Sequence, residues 1–415
     1  MISNRSPRRV VIHDFAGFAF PVQLGRELAR RGHHVKLLYS DLDTRGGRLS
    51  RREGDPDTFS VGAVSIGRPF RKHELLRRAG QELAYARVLG REVARFAPDI
   101  LFNTNGTMIT SFWLRRRAFA QGCAYVHWMQ DIHTHAIGYI LKRRFGRLGG
   151  WGEGLVRRIE RDVVANAAAL IVISDDFKAQ LAAYGIQPRA VFTIPNWMPC
   201  EEITPLPKDN EFAHAHGLAH TFNIIFAGVL GHKHDIAPFV ALARACRDLD
   251  DLRVVVVGRG FGVERLREVQ QTDGLTNLVL VDWQPHERLP RVLAAGDLLM
   301  AAIAPQASHS SVPSKILGYL CAGRAVLAVV PEQNLGRRLV EDAGAGVGAD
   351  PGDQARLVAL VRAFHAAPQG LTDLAGRARH YAESTFAIGP IADRFETIID
   401  DVTARRVHGS DGAFR

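Results

Sequence analysis

The sequence predicts an α/β chain built from two doubly wound, parallel-sheet domains in tandem. Short apolar runs alternate with amphipathic stretches along most of the chain, the pattern of βαβ units. One run, Val254 to Val257, is four consecutive valines, as in a strand buried on both faces of a parallel sheet. Between residues 194 and 209 stand Pro195, Pro199, Pro205 and Pro207, which neither a helix interior nor a central strand accommodates. That segment reads as the linker.

In the first half a strand is expected over 10–13. A helix over 21–31 then turns Val22, Leu24, Leu28 and Ala29 inward and closes at Gly32. A strand at 35–39 follows. A long helix over 75–96 is stopped by Pro98, and strands at 100–103, 124–129, 169–174 and 191–194 continue the series. In the second half strands are expected at 223–227, 253–257, 278–281, 298–303 and 325–330, the last completing the sheet. Helices at 236–249, 262–271 and 289–295, and one from Ser314, lie between them. The domains are thus 1–200 and 201–385, followed by a helix over 386–404 and a tail over 405–415. Two such domains place ligands in the cleft between them, at the strand ends.

Composition excludes several classes. Apolar residues make up 47% of the chain and charged residues 23%, as in a globular protein with packed cores. The four cysteines, Cys123, Cys200, Cys246 and Cys321, are scattered without ligand spacing, which fits a reducing cytosol and no metal site. The basic start is followed by an apolar run broken at His13 and Asp14, so no secretory leader is expected. No run of about 18 apolar residues occurs, and no nucleic-acid-binding signature is present. A cytoplasmic location is expected, with contact to the membrane face open. Residues 1–200 hold 31 Lys and Arg against 17 Asp and Glu, a charge of +14, leaving 22 against 26, or −4, for residues 201–415. The excess of positive charge in one half points to an anionic partner there.

Four blocks carry chemistry. Val312, Pro313 and Ser314 suit a helix start, where backbone amides and the positive dipole end hold phosphate. Lys315 in that first turn opposes the dipole, and a bound anion there would offset the cost. After the second domain's first strand, Gly228 and Gly231 allow close backbone approach to a ligand, and Lys233 would reach a diphosphate. Gly258, Arg259, Gly260 and Gly262 then resemble a dinucleotide fingerprint, with Val263 at the third glycine position and Asp282 ending the next strand. An NAD-dependent oxidoreductase or a sugar-nucleotide epimerase therefore stands as the alternative reading. In the first domain Tyr125 to His135 packs His127, His133, His135, Asp131 and Trp128 into one turn at a strand end, a density that favours a site.

In this order the blocks resemble the family-four retaining glycosyltransferases of the GT-B type, in particular those of bacterial capsule, colanic-acid and O-antigen assembly. Further parallels are Gly25 to Val35, like the family's helix ending in "RGHxV", residues 194–198, like "IPNW", and Ala322, Gly323 and Arg324 after the "PSK" block. Where the family places two glutamates separated by seven residues, this chain has Ser310 and Gly318, and only Gly17 remains of the two-glycine loop after the first strand.

The resemblance implies transfer of a sugar, with retention, from a nucleotide-diphosphate sugar to a glycan or lipid-linked acceptor. No metal or cofactor is implied, since GT-B enzymes use helix dipoles with Lys and Arg. Lys315 and Lys233 would stabilise the leaving diphosphate. The nucleobase would lie near Arg259 and Asp282, Trp283 and Gln284. His127 or Asp131 would face the transferred sugar, with His133 and His135 towards the acceptor. The last helix, with Ile391, Phe395, Ile398 and Ile399 on one face, would cross back onto the first domain. Basic residues beside aromatic ones in the first half, such as Arg115 to Arg117 after Trp113, suit an anionic membrane surface.

Overall fold

The structure, a computed structural model, describes residues 6–41, 49–68, 74–231, 234–304 and 314–407, without the side chains at 75–76, 135–136, 139–140, 142–145, 147–148 and 406–407. The chain divides into two compact units, Met1–Asn196 with Ile388–Arg415, and Trp197–Ala387. The first division falls at Asn196, inside the proline-containing segment 194–209, where 200 was expected.

The first unit is built on seven parallel strands: β1 (Arg9–Asp14), β2 (His34–Ser40), β3 (Phe59–Val64), β4 (Ile100–Thr104), β5 (Ala124–Met129), β6 (Ala169–Val172) and β7 (Val191–Thr193). Their order is β3-β2-β1-β4-β5-β6-β7, so the topology reverses between β1 and β4. Crossovers run through α1 (Ala19–Arg30), α2 (Leu75–Phe96), α3 (Met108–Ala120), α4 (His133–Ala165) and α5 (Asp176–Ala183). Helix α1 buries Val22, Leu24, Leu28 and Ala29 as its periodicity requires. Helix α2 ends where Ala97 turns left-handed before Pro98. Thr107 caps α3 by accepting a bond from the Thr110 amide.

The second unit opens with the short α6 (Glu211–Ala215) and has six parallel strands, β8 (Phe222–Val229), β9 (Leu252–Arg259), β10 (Leu278–Asp282), β11 (Leu298–Ala302), β12 (Ala325–Val329) and β13 (Gly346–Ala349). The order β10-β9-β8-β11-β12-β13 reverses between β8 and β11. Its remaining helices are α7 (Ala237–Ala245), α8 (Phe261–Asp273), α9 (Leu289–Ala294), α10 (Ser314–Cys321), α11 (Leu335–Asp342), α12 (Gln354–Ala366) and α13 (Gly370–Thr385). The second sheet does not end at β12: β13 pairs beyond it, and Gly346 is required there because a Cβ would stand 1.9 Å from the Val326 carbonyl oxygen.

Helix α14 (Ile388–Val407) closes the first unit. Phe395 is fully buried, its ring 5.4 Å from that of Phe102 and 4.8 Å from that of Trp128. Arg31 bridges Asp393 at 2.5 Å and Glu396 at 2.7 Å, and His33 meets Glu396 at 3.3 Å. Burial opposes the Arg31 charge, but its carboxylate partners prevail and hold it above its ordinary value. The apolar stripe of α14 is thus matched by strands of the first sheet and its polar edge by α1.

Candidate active site

In doubly wound sheets ligands collect at the carboxyl ends of the strands where the order reverses. In the second unit that point is the end of β8. Gly228 there adopts φ +138°, and a Cβ on it would stand 2.6 Å from Cε of Lys315. The absence of a side chain at 228 is therefore what lets Lys315, from the first turn of α10, lie across the strand end. Its Nζ stands 4.9 Å from the Phe226 ring centroid. Tyr319, fully buried, holds α10 in place: its hydroxyl accepts from the Ala227 amide and donates to the Met300 carbonyl, both at 3.3 Å. Sequence reading missed Tyr319, whose pattern was only that of a core residue. Ser314 opens the helix and is exposed. Val312, Pro313 and Lys233 lie outside the described residues.

The dinucleotide-like glycines have a different physical reason. A Cβ on Gly258 would stand 1.9 Å from the Gly228 carbonyl oxygen, and one on Gly260 would stand 2.9 Å from that of Leu230. The Leu230 amide donates to the Arg259 carbonyl and the Gly262 amide to the Leu230 carbonyl, each at 2.9 Å. The hollow that a pyrophosphate would fill in a dinucleotide site is thus packed by the chain's own loop, which includes Gly231. This does not favour the NAD-dependent alternative.

Beyond that turn, the Arg259 guanidinium lies 4.7 Å over the Trp283 ring, and Trp283 remains 47% exposed. Trp283 is thus no core residue. Val229 and Phe261 are exposed at neighbouring strand ends. Asp282 points its carboxylate to solvent, 3.9 Å from Arg267, and the Gln284 amide donates to the Asp282 carbonyl at 3.1 Å.

In the first unit the reversal point lies between β1 and β4. Asp14 at the end of β1 accepts from the Ala16 amide at 3.1 Å, the Phe18 amide at 2.5 Å and the Asn105 side chain at 2.8 Å, fixing the turn that carries Gly17 at φ +68°. The segment 125–135 is not one turn. Residues up to Met129 continue β5, and α4 begins at His133. Trp128 faces the core against Phe395, whereas His127 sits on the opposite face of the strand, buried. Asp131 is exposed in the connection, and the His135 side chain lies outside the described residues.

What surrounds His127 was not legible from spacing. Its Nδ1 is 3.1 Å from the Tyr125 hydroxyl, which lies 2.9 Å from Asn103 Nδ2; Asn103 Oδ1 is 2.6 Å from His13 Nδ1, and His13 Nε2 is 2.9 Å from the Tyr85 hydroxyl. Glu160, buried on the far part of α4, accepts from the His133 amide at 2.7 Å and from the Thr134 amide and hydroxyl at 3.0 and 2.5 Å. Burial opposes its charge, but bonds from His133 and Thr134 outweigh it and hold the carboxyl below its ordinary range. His133 Nδ1 stands 3.7 Å from it.

Burial pushes both His13 and His127 down to about 4, with the nearby His133 adding to the effect on His127. Their ordinary value is 6.5, so between pH 6.5 and 4 the unfolded chain binds protons that the folded chain refuses. Stability contributed by the two neutral rings is complete above pH 6.5 and is lost as pH falls towards 4. The expected loss is about 3 kcal/mol for each histidine over that window. Urea-unfolding midpoints at pH 7.5 and 5 check this, and equal midpoints would contradict it.

Residues 20–197 match the family model described as a glycosyl transferase 4-like domain. A probable glycosyltransferase, WbjE of Pseudomonas aeruginosa, is 23% identical over 208 residues, 50% of this chain and 52% of that protein. The chain thus spans about half the length of that curated relative. Among solved structures, Anabaena HepE in complex with UDP superposes with a TM-score of 0.69 at 15% identity, covering 94% of this chain and 99% of HepE. WaaG, a glycosyltransferase involved in lipopolysaccharide biosynthesis, superposes with a TM-score of 0.66 at 17% identity over 92% of this chain and 98% of WaaG. With parallel sheets of this order in both units and solved structures covered almost end to end, the chain has the GT-B fold, and its residues 20–197 match the model of a glycosyl transferase 4-like domain.

Proposed function

We propose that this protein is a retaining glycosyltransferase that moves a hexose-type sugar from a nucleotide-diphosphate sugar to a glycan or lipid-linked saccharide in cell-surface polysaccharide synthesis. The observation that carries the reading is Lys315 laid over Gly228 at the reversal point of the second sheet, beside the amino end of α10. A cation and oriented amides at one strand end are suited to the charge that develops on a departing diphosphate. Lys233, Ser314 and the amides around 312–313 would share that load. The exposed Trp283 with Arg259, and Asp282 and Gln284 beside them, offer a face for the nucleobase and ribose. His127, with His133 and Asp131 at the start of α4, would meet the transferred sugar and acceptor. No redox cofactor or nucleic acid enters this reading. The UDP bound by HepE makes UDP the first nucleotide to try.

A thermal-shift panel of UDP, GDP, ADP and NAD tests it. A nucleoside diphosphate at about 100 times its Kd stabilises the folded state by about 2.7 kcal/mol, a shift of several degrees in Tm. Stabilisation by NAD alone would sink the reading.

A cytoplasmic protein resting on an anionic membrane face is the accompanying proposal. It is supported by Trp151 and Leu155, one turn apart on α4 and 85% and 61% exposed, with exposed Arg157, Arg158 and Arg161 beside them. Among the described residues no helix is long and apolar enough to cross a membrane. Co-sedimentation with anionic vesicles at low salt, weakening as salt shortens the Debye length, is the expected result. Equal pelleting with neutral and anionic lipid would remove the membrane from the account.

A further inference from the structure

The buried side chains behind His127 decide which of its ring nitrogens carries the proton. Ser111 has one hydroxyl proton, shared between the Gly106 carbonyl at 3.4 Å and the Tyr125 oxygen. The Ser111 oxygen therefore accepts, and its donor is Asn103 Nδ2 at 3.0 Å. This orients the amide. Asn103 Oδ1 then faces His13 Nδ1 at 2.6 Å, so that nitrogen donates, and His13 Nε2 accepts from the Tyr85 hydroxyl at 2.9 Å. The second Nδ2 proton goes to the Tyr125 oxygen at 2.9 Å. With its oxygen engaged by Asn103 and Ser111, Tyr125 directs its own proton at His127 Nδ1, 3.1 Å away. Burial pushes both tyrosines above their ordinary value, so they remain donors. Gly106 locks the arrangement: a Cβ there would stand 2.8 Å from Asn103 Oδ1 and 2.9 Å from Ser111 Oγ.

We infer that Asn103 and Tyr125 are positioning residues that hold His127 with Nδ1 as acceptor and its proton on Nε2, so that His127 meets the sugar as a hydrogen-bond donor. A ring nitrogen whose partner offers a proton leaves the other nitrogen to carry one. His127 is then neither the base that deprotonates an acceptor hydroxyl nor a nucleophile. It aligns a hydroxyl oxygen of the bound saccharide. This inference rests on the proposed transferase reading only for the identity of that oxygen; the tautomer stands on the protein alone.

The test uses the full-length protein labelled with ¹⁵N at histidine, the His127 signals being assigned by their loss in His127→Gln. At neutral pH the expected pattern is an unprotonated Nδ1 and a protonated Nε2. In Tyr125→Phe it should give way to a mixture of tautomers, with turnover lowered roughly tenfold, the value of one hydrogen bond. A purely structural Tyr125 would lower stability and leave the ring pattern unchanged. His127→Gln, which keeps a donor near Nε2, should retain turnover within about tenfold of wild type, and His127→Glu, an acceptor, should lose about 100-fold or more. A proton on Nδ1, or a Tyr125→Phe ring pattern identical to wild type, overturns the inference. The expected ring pattern in a protein that transfers no sugar would support the tautomer and count against the transferase reading alone.

Discussion

Lys315→Ala should lower turnover at saturating donor by about 10²–10³ while the protein stays folded. One charge-assisted contact to a developing charge in a closed site is worth roughly 2–4 kcal/mol, which converts to that range. The ammonium's place is set by two features that the substitution leaves intact: the bare Gly228 beneath it and Tyr319, which ties α10 to β8 and β11. The loss should therefore fall on kcat more than on the fold, as when an interaction is made mainly in the transition state. Gly228→Ala should act in the same direction, since its methyl would displace the lysine and its φ of +138° strains any L-residue. Near wild-type turnover in Lys315→Ala at saturating donor would take the lysine out of the mechanism.

Phe395→Ala should destabilise the first unit by about 3–5 kcal/mol, the cost of emptying a fully buried aromatic site. The ring lies fully buried between Phe102 on β4 and Trp128 on β5. Arg31, His33 and Glu396 hold the polar edge of α14, so the helix should stay docked and the cavity should persist rather than collapse. Denaturant unfolding measures this. A loss below about 1 kcal/mol would mean that α14 contributes little to the core.

Much of the architecture was legible because buried strands and amphipathic helices write their own periodicity. The valines of β9, the ends of α2 and the apolar stripe of α14 all fall where local pattern placed them. The edge strands β3 and β13 were not anticipated. Each is short and partly exposed, and glycines (Gly62, Gly346, Gly348) dilute the pattern, so neither reads as a buried run nor alternates. The glycine series 258–262 was misleading for a related reason. Pattern reports that a side chain is absent, but it does not say whether a ligand or the chain itself, here Leu230, takes the space.

Sequence by itself determined the α/β organisation on parallel sheets and a cation at the start of α10. These depend on residues a few positions apart, whose preferences act within one element. Only the tertiary structure decided what each polar residue meets. Asn103 joins His13 and Tyr125, Glu160 caps the helix that His133 begins, and the Cys200 and Cys321 thiols come to 3.3 Å as free cysteines. Such partners lie tens of residues or more apart and are brought together by the crossovers of the sheet. A buried polar group must be satisfied, but which distant residue satisfies it is set by topology, which leaves no periodic trace in the chain.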